Sequence, residues 1–319
     1  MRVAFVFPGQ GAQEVGMGGA FAASSPEARA VFDAADRALV GDPVALSSMC
    51  FQGPAESLTL TANTQPAILA TSLACLAALR ARLPSLTPVM LAGHSLGEYT
   101  ALVAAGALDL DTAVKLLRLR GTAMQEAVPP GVGAMAAVIA LDDDAVAALC
   151  AEVAAETGRV VQAANFNCPG QVVVAGHADA VDRVRERVAA RGAKTLPLHV
   201  SAPFHCALME PAAARLDAAL AALTPSPLRV PVVANVDGAP YGDAARVREL
   251  LVRQVAGTVR WSSCVRAMLD AGVDTFVEVG PGKVLSGLIK RIQRGVRVLS
   301  VSDPTSLEAT AAALIEGGL

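Results

Sequence analysis

The sequence contains few aromatic residues, 3% of 319, and few charged residues, 17%. Hydrophobic residues make up 53%, so the chain can bury a large core, and this composition argues against global disorder. The formal net charge is only −3, which favours neither nucleic acid nor a membrane surface as the main partner. Charged residues, Pro or Gly interrupt every apolar run, so the sequence predicts no membrane span.

Paired cysteines and metal-ligand spacings are also missing. The six cysteines are scattered with no CxxC pair, and the four histidines show no HExxH spacing. We therefore predict no metal site and no disulfides, but buried thiols in a reducing compartment. The opening MRVAFVF indicates a buried strand that ends at Pro8 and Gly9, not a signal peptide, so we expect a cytoplasmic protein.

Strand-like and helix-like segments alternate in the first and last parts of the chain. This alternation predicts a mainly parallel sheet with helices on both faces. The expected strands are Arg2–Phe7, Val89–Ala92, Val230–Asn235 and Thr275–Val279. The expected helices are Pro26–Val40, Thr64–Leu83, Leu96–Ala105, Asp111–Glu126, Val247–Gln254 and Val284–Arg294.

The middle of the chain follows a different order of elements, which begins after a break at residues 129–131, Pro-Pro-Gly. The predicted order is βαββαβ, which is typical of a ferredoxin-like unit. Its segments are Ala134–Leu141, Asp142–Glu156, Val160–Asn165, Gln171–Gly176, Ala178–Arg191 and Ala193–Val200. We expect an α/β protein in which residues 128–200 form a small inserted subdomain and residues 1–127 and 201–319 form a larger one.

The sharpest local motif is Gly93-His94-Ser95-Leu96-Gly97, which matches G-x-S-x-G between a predicted strand and a predicted helix. In this context the turn strains the serine and presents it at a helix N-terminus, where negative charge is favoured. The N–H group of Leu96 is then a candidate donor to an oxyanion. The alternative is an ordinary tight turn, because so short a pattern also occurs by chance.

A serine nucleophile needs a base, and the best candidate is His205, in the irregular stretch VSAPFHC. His94 neighbours the serine in the turn and would point away from its hydroxyl. His177 and His199 lie in or beside predicted strands and are weaker candidates. A histidine in a loop can also be purely structural, so the sequence leaves its role open at this point.

No acidic residue clearly completes a catalytic triad. Asp237, in the stretch Asn-Val-Asp-Gly at 235–238, is one candidate, but this stretch is equally typical of a turn. A backbone carbonyl can orient a histidine as well, so a serine–histidine pair does not require an acid.

Arg120 lies on the predicted helix Asp111–Glu126, within the apolar stretch LLRLRG. A buried arginine needs an anionic partner, and its guanidinium group can bind a substrate carboxylate with two hydrogen bonds. Arg118 is two residues away, about 200° around the helix, so the two arginines cannot face one pocket. The alternatives are a salt bridge within the chain or a solvated helix face.

Taken together, these residues resemble one known family, the malonyl-CoA:acyl-carrier-protein transacylases of bacterial fatty-acid synthesis and the related acyltransferase domains of polyketide synthases. The similarity covers nearly the whole chain, in motifs of matching order and spacing. These are FPGQGAQ at 7–13, GHSLGEY at 93–99, Arg120-Gly121, GAMAAV at 133–138, Asn165 with PGQVV at 169–173, Pro203-Phe204-His205 and EVGPG at 278–282.

The resemblance implies an α/β-hydrolase-like subdomain with a ferredoxin-like insert, and roles for particular residues. It implies that Ser95 is the nucleophile, His205 its base, and Arg120 the group that binds the malonyl carboxylate. The backbone N–H groups of Gln10 and Leu96 would form the oxyanion hole. The expected reaction transfers malonyl from malonyl-CoA to the phosphopantetheine thiol of acyl carrier protein through a malonyl-serine ester, with no metal or redox cofactor.

Two further residues gain a role from the resemblance. Gln254 stands where the family offers a backbone carbonyl to the histidine. Phe204 precedes the histidine, as in malonyl-selective members, whereas methylmalonyl-selective ones usually carry Ser there. Phe204 would crowd an α-methyl branch, although its alternative role is ordinary packing. The basic residues between Glu278 and Asp303 could attract anionic CoA and carrier protein, or be a solvated face.

Other functions remain open from the sequence. The same chemistry could serve a polyketide synthase as a separate, trans-acting malonyl acyltransferase, and the sequence does not separate this from fatty-acid synthesis. A serine thioesterase or other hydrolase is a second class, which Arg120 argues against. A non-catalytic module that binds carrier protein is a third. No association segment is evident, so we expect a monomer.

Overall fold

The computed structural model describes residues 1–198 and 200–318, and its strands form two separate sheets. The strands of the described residues are β1 (Val3–Phe7), β2 (Met90–Gly93), β3 (Gly133–Ile139), β4 (Val161–Cys168), β5 (Gln171–His177), β6 (Lys194–Pro197), β7 (Val232–Ala234), β8 (Ala239–Pro240), β9 (Thr275–Val279) and β10 (Arg297–Val301).

Helices cover both sheets. Those of the described residues are α1 (Gly19–Ser24), α2 (Pro26–Ala38), α3 (Leu46–Gln52), α4 (Ala55–Thr59), α5 (Thr61–Arg82), α6 (Gly97–Ala104), α7 (Leu110–Glu126), α8 (Asp143–Thr157), α9 (Ala178–Ala190), α10 (Glu210–Leu220), α11 (Val247–Ala256), α12 (Trp261–Asp270), α13 (Val284–Ile292) and α14 (Pro304–Glu316).

The first sheet has the strand order β10-β9-β1-β2-β7-β8 and is parallel except for the antiparallel pair β7 and β8. All five residues of β1 are buried, as expected of a central strand that is covered on both faces. Val3, Phe5 and Phe7 join the apolar cluster that contains much of α5. Ala4 and Val6 point to the opposite face and join the cluster formed with α12 and α13.

The second sheet has the order β4-β5-β3-β6, and each of its neighbouring pairs is antiparallel. Helices α8 and α9 connect its strands in the order βαββαβ, and their apolar residues pack on the sheet in a cluster of their own. The prediction of an α/β fold that combines a largely parallel sheet with a ferredoxin-like unit is thus confirmed. The proposed subdomain limits, 128–200 within 1–127 and 201–319, stay a prediction.

Several predicted bounds differ from the structure. Strand β4 continues to Cys168, three residues beyond its predicted end, and its pairing with β5 contains two register irregularities. The predicted strand Ala193–Val200 is described only as Lys194–Pro197, and His199 lies outside the described residues. The sequence analysis missed α1, α3, α4, α10, α12, α14, β8 and β10.

Helix α5, Thr61–Arg82, is long and apolar enough to cross a membrane by length and composition alone. The sequence analysis predicted this helix, as Thr64–Leu83, but expected no segment that could span a membrane. The most apolar window of α5 is 83% buried against the rest of the fold, so its apolar surface is used in packing.

The parallel order of the first sheet brings three functional segments to one edge. The loop after β1 carries Gln10, the turn after β2 carries Ser95, and Asn235 directly follows β7. Since β1, β2 and β7 are neighbours and parallel, their carboxyl ends meet at this edge, where ligands bind in open α/β sheets.

Replacing Gly97 with alanine should weaken the fold, because a Cβ there would lie 2.3 Å from the carbonyl oxygen of Phe7. Overpacking of this kind lowers the free energy of unfolding by about 1–3 kcal/mol. The matched control is Gly287→Ala, at an exposed position within α13 where a Cβ meets no atom within 4 Å. This control should raise stability by about 0.5–1 kcal/mol, since alanine favours a helix over glycine. Urea denaturation measures both changes, and a Gly97→Ala protein as stable as its parent would contradict this packing.

Candidate active site

Ser95 lies in a tight turn between β2 and α6, with a left-handed φ of 53°. The turn requires glycine on both sides of the serine. A Cβ on Gly93 would lie 1.9 Å from the carbonyl carbon of Gly97, and a Cβ on Gly97 would meet the backbone of β1. The sequence therefore folds into the strained turn that the G-x-S-x-G pattern predicts, with the serine presented beside the first turn of α6.

The side chain of Asn235, the residue directly after the neighbouring strand β7, holds the turn. Its Oδ1 accepts a hydrogen bond from the backbone N–H of Ser95 at 2.7 Å, and its Nδ2 donates to the carbonyl of Gly93 at 2.8 Å. The N–H of Ser95 is thus already used. Within the described residues, the N–H groups of Gln10 and Leu96 donate to no other group, so both remain available to an oxyanion.

His205 is positioned to accept the proton of Ser95. The serine Oγ lies 2.7 Å from His205 Nε2, and His205 Nδ1 lies 2.8 Å from the backbone carbonyl of Gln254. A carbonyl can only accept, so Nδ1 carries the hydrogen and Nε2 offers its lone pair to the serine. His205 is also left-handed, with φ 59°, so both members of the pair have strained backbones.

Burial, and then the positive charge of Arg120, lowers the pKa of His205 to about 3. The imidazole is therefore neutral in the free protein at physiological pH and can take up a proton. The backbone carbonyl that orients it carries no full charge, unlike the acid of a triad.

Arg120 is the only cation within hydrogen-bonding distance of the serine in the described part of the chain, and it is 1% exposed. Its Nη2 donates to Ser95 Oγ at 3.1 Å and to Gln254 Oε1 at 2.8 Å, and its Nη1 donates to Gln65 Oε1 at 2.8 Å. The guanidinium carbon lies over the Tyr99 ring, 5.6 Å from the centroid of that ring.

The described residues place no carboxylate within 4.0 Å of Arg120, so neither a direct salt bridge nor a solvated face accounts for it. Its Nε has no partner among them either. Arg118, on the other side of α7, instead pairs with Asp42. A buried guanidinium with free hydrogen-bonding capacity beside a nucleophile can bind an anionic group of a substrate.

These groups open onto a cavity of about 660 Å³. Phe204 lines it and is 7% exposed, directly before the histidine. Met124, Met135 and Leu198 make the remaining wall largely apolar. The cavity brings together the sequence-predicted residues Gln10, Ser95, Leu96, Arg120, Phe204 and His205.

The other sequence candidates have different roles. His94 lines the cavity, but its Nε2 lies 2.9 Å from Asn167 Oδ1, away from the serine hydroxyl, and burial lowers its pKa. His177 contacts the backbone of Val160. Asp237 is not a triad acid, because it forms salt bridges with Arg246 and Arg253. The hydrogen-bond partner of His205 Nδ1 is instead the backbone carbonyl of Gln254.

Sequence analysis missed several polar residues that the site depends on. Gln65, on the apolar helix α5, holds Arg120, and Asn235 holds the serine turn. Glu98 is fully buried in the first turn of α6 and accepts hydrogen bonds from Tyr241 and other groups. The available signal was a polar residue in an otherwise apolar segment, as at Gln65 and Glu98.

Among the residues that the structure describes, no group of three or more His, Cys, Asp or Glu side chains is arranged to hold a metal ion. The six cysteines are all free and buried. The arrangement has the parts of a serine acyl transfer: a nucleophile, a neutral base, two free backbone donors and a cation for an acidic substrate.

Comparison with known proteins agrees with this geometry. The family model described as "Acyl transferase domain" matches residues 4–309. The chain is 49% identical to the malonyl CoA-acyl carrier protein transacylase of Escherichia coli K12, over 97% of this chain and 98% of that protein. It is 47% identical to the acyl-carrier-protein S-malonyltransferase of Burkholderia pseudomallei 1710b, whose crystal structure superimposes with a TM-score of 0.93 over 98% of this chain and 100% of that one.

A second solved structure contains a malonyl-transacylase in complex with its type II PKS acyl-carrier protein. It matches with a TM-score of 0.93 and 43% identity, over 98% of this chain and 100% of that one. The match of the family model to most of the chain, and relatives of nearly half-identical sequence along their full length, establish the relationship. The chain belongs to the acyl transferase domain family.

Proposed function

We propose that this protein transfers the malonyl group from malonyl-CoA to the phosphopantetheine thiol of acyl carrier protein. The observation that carries the proposal is Arg120, a buried cation 3.1 Å from the serine hydroxyl with no carboxylate of the described chain beside it. In malonyl-CoA the free carboxylate is one methylene from the thioester carbonyl. A substrate held by Arg120 therefore presents that carbonyl to Ser95.

The first half-reaction acylates the enzyme. The malonyl carboxylate binds Arg120, and His205 Nε2 takes the hydroxyl proton as Ser95 Oγ attacks the thioester carbon. The N–H groups of Gln10 and Leu96 stabilise the negative charge on the carbonyl oxygen. The carbon–sulfur bond breaks, and His205 gives the proton to the CoA sulfur. Free CoA then dissociates, and the malonyl group stays on Ser95 as an ester.

The second half-reaction runs the same steps in reverse with a different thiol. The phosphopantetheine thiol of acyl carrier protein enters the cavity and gives its proton to His205. Its sulfur attacks the ester carbonyl, the bond to Ser95 Oγ breaks, and the serine regains its proton from the histidine. The balance needs no redox step, and the two products leave in turn, which gives ping-pong kinetics.

We further propose that Phe204 favours malonyl over methylmalonyl. The ring lies against the cavity directly before His205 and is almost fully buried, so an α-methyl branch would compete with it for space. A single methyl group in an apolar pocket changes binding by about 1–3 kcal/mol, so the preference should be clear but finite.

We propose that a basic surface attracts CoA and carrier protein, both of which are anionic. Lys283, Lys290, Arg291 and Arg294 are exposed. Arg291 reaches Gln171 at the start of β5, which joins this surface to the second sheet. Arg297 differs from the others, since its Nη2 donates to the carbonyl of Ala313 in α14 and is held within the fold.

The setting of the reaction is also part of the proposal. Six free and buried cysteines are what a reducing, cytoplasmic compartment favours. We propose that the protein is a monomer. We also propose that it supplies malonyl units to fatty-acid synthesis through acyl carrier protein, the acceptor in the name of the Escherichia coli relative. Supply to a polyketide synthase is the second candidate, favoured by the structural relative bound to a type II PKS carrier protein.

Incubation with malonyl-CoA, without carrier protein, should add one malonyl group to the intact protein. Intact-protein mass spectrometry measures the adduct. Ser95→Ala should show none, because the ester oxygen is gone, and methylmalonyl-CoA and acetyl-CoA should label weakly. Free malonate without an adduct would instead indicate a hydrolase. The absence of both would reject malonyl chemistry.

Arg120→Gln should lower kcat/KM for malonyl-CoA by about 100-fold, since removing one partner of a buried ion pair weakens binding by several kcal/mol. The slower reaction with acetyl-CoA should change much less, because acetyl has no carboxylate. Lys115→Gln, at an exposed position of the same helix, is the matched control. Equal losses with both donors would show that Arg120 supports the serine or the fold instead of the substrate.

Reversing the charge of Lys290 and Arg291 together should raise KM for carrier protein by about tenfold at low salt, because attraction becomes repulsion. The effect should shrink as salt screens the surface. Reversing exposed Arg29, on α2, together with exposed Lys115, on α7, controls for the same change in net charge. Steady-state kinetics at two salt concentrations measure the difference, and an unchanged KM would remove the basic surface from the proposal.

A further inference from the structure

Glu98 is a carboxylate with 0% exposure, on α6 just after the serine turn. Three donors face its oxygens: the Tyr241 hydroxyl, the backbone N–H of Asn235 at 3.1 Å and the Gln254 Nε2 at 2.6 Å. All three groups donate, which suits an ionised carboxylate, since it can only accept. Burying such a group so close to the site needs an explanation that the transfer steps alone do not supply.

The Gln254 side chain carries the influence of Glu98 to the site. Its Nε2 also donates to the carbonyl of Ser95 at 2.9 Å, and its Oε1 accepts from Arg120 at 2.8 Å. An amide has one donor end and one acceptor end. Because Glu98 can only accept, it holds Nε2 towards itself and so keeps Oε1 towards Arg120.

Asn235 forms the second connection. Its backbone N–H binds Glu98, and its side chain holds the N–H of Ser95 and the carbonyl of Gly93. The same residue thus links the buried carboxylate to the strained serine turn. A shift of Asn235 would move the nucleophile, because both of these hydrogen bonds are at or below 2.8 Å.

Glu98 also provides the balancing charge for Arg120. The guanidinium group has no carboxylate of the described residues within 4.0 Å, and Glu98 reaches it only through the amide of Gln254. One intervening amide lets the two opposite charges stabilise each other without a direct salt bridge. The Nε–H group of Arg120 has no partner among the described residues, so the guanidinium group keeps hydrogen-bonding capacity for a substrate carboxylate.

We propose that Glu98, in its ionised form, is a positioning residue for malonyl transfer, which holds Gln254 and Asn235 so that Arg120 and Ser95 keep their reactive geometry. This inference rests on the proposed function. Glu98 touches neither substrate nor the reacting atoms, and acts only through these two residues.

Glu98 is poised to titrate in the physiological range. Burial raises its pKa to about 7, against the lowering effect of its three hydrogen bonds and of Arg120. The other titratable groups that face it are Tyr241, Tyr99 and Cys264, whose pKa values burial raises, so all three stay neutral. Protonation places a hydrogen on a Glu98 oxygen that accepts a hydrogen bond from Gln254 or Tyr241, so that this hydrogen bond is lost. It also removes the negative charge that balances Arg120. Activity should therefore fall as pH falls through about 7.

The test measures the single-turnover rate of Ser95 malonylation from pH 5.5 to 9, by rapid quenching and intact-protein mass spectrometry. The wild-type rate should fall about tenfold as pH drops through about 7. E98Q should stay at the low rate at every pH, because it imitates the protonated form. Tyr241→Phe should shift the fall to higher pH, because it removes a hydrogen bond that lowers the pKa of Glu98. Glu278→Gln, at a buried glutamate that binds the start of α13, is the matched control and should keep the wild-type profile.

Unfolding measurements separate positioning from a structural role. A carboxyl whose pKa is raised on folding destabilises the fold as pH rises from its ordinary value to the folded one. E98Q cannot ionise, so it should be at least as stable as the wild type at pH 8 while its rate is low. Loss of stability that parallels the loss of rate would overturn the positioning role.

Two other outcomes would also overturn it: a wild-type rate in E98Q at pH 8, or an acid-side fall that E98Q retains. If E98Q fails to fold, an unshifted profile in Tyr241→Phe overturns the inference by itself. The proposed function is judged separately by the wild-type protein. Wild-type malonylation with unaffected variants rejects only the role of Glu98, whereas a wild-type protein that never forms the adduct rejects both.

Discussion

The hydrogen bonds of Gln254 are the interaction on which the candidate site depends. Its backbone carbonyl accepts a hydrogen bond from His205 Nδ1, and its side-chain oxygen accepts one from Arg120. Its side-chain nitrogen donates to the carbonyl of Ser95 and to Glu98. One residue of α11 therefore binds the proposed base, the buried cation and the turn that carries the proposed nucleophile. Because Gln254, Arg120, His205 and Glu98 are all buried, water cannot easily replace a partner that one of them loses.

The site contains two buried ionisable groups of opposite sign, Arg120 and Glu98, which do not form a direct salt bridge. An arginine paired closely with a glutamate would have little capacity left for a substrate carboxylate. Inserting the Gln254 amide between Arg120 and Glu98 keeps the pair electrically balanced and leaves the cation accessible from the cavity. The same nearby positive charge, together with burial, keeps His205 neutral and ready to accept a proton.

Among the described residues other than glycine, three have a positive φ: Ser95 and His205 in the site, and Ala140, which follows β3. Ser95 and His205 both adopt left-handed backbone conformations that side chains other than glycine rarely take. The close packing of β1 against the start of α6 and the hydrogen bonds from Asn235 hold the serine turn. A rigid parallel sheet supports these contacts, since the turn follows its second strand and Asn235 follows the adjacent β7.

The sequence by itself determined the fold class, the βαββαβ order of the second sheet and the position of the serine turn. Those features rest on local patterns: alternation of apolar segments, glycines at fixed spacing, and a strand directly before a helix. It also identified His205 and Arg120 as candidates, and the family resemblance added Gln10, Leu96, Phe204 and Gln254. Short or irregular elements such as β8 and α4 gave no comparable pattern, and Asp237 was an incorrect candidate for the triad acid because a turn-like acid carries no signal of what it contacts.

Only the tertiary structure decided which polar groups meet. Asn235 lies 140 residues from the serine whose N–H it accepts, and Gln254 lies 159 residues from the same turn. Glu98 follows Ser95 closely in the chain, but its donors come from the residue after β7, from α11 and from the segment after β8. Contacts of this kind arise from the order of strands in the sheet and from the packing of α11 beside the turn. A hydrogen-bond network is therefore a property of the folded chain, because its partners have no fixed spacing in the sequence.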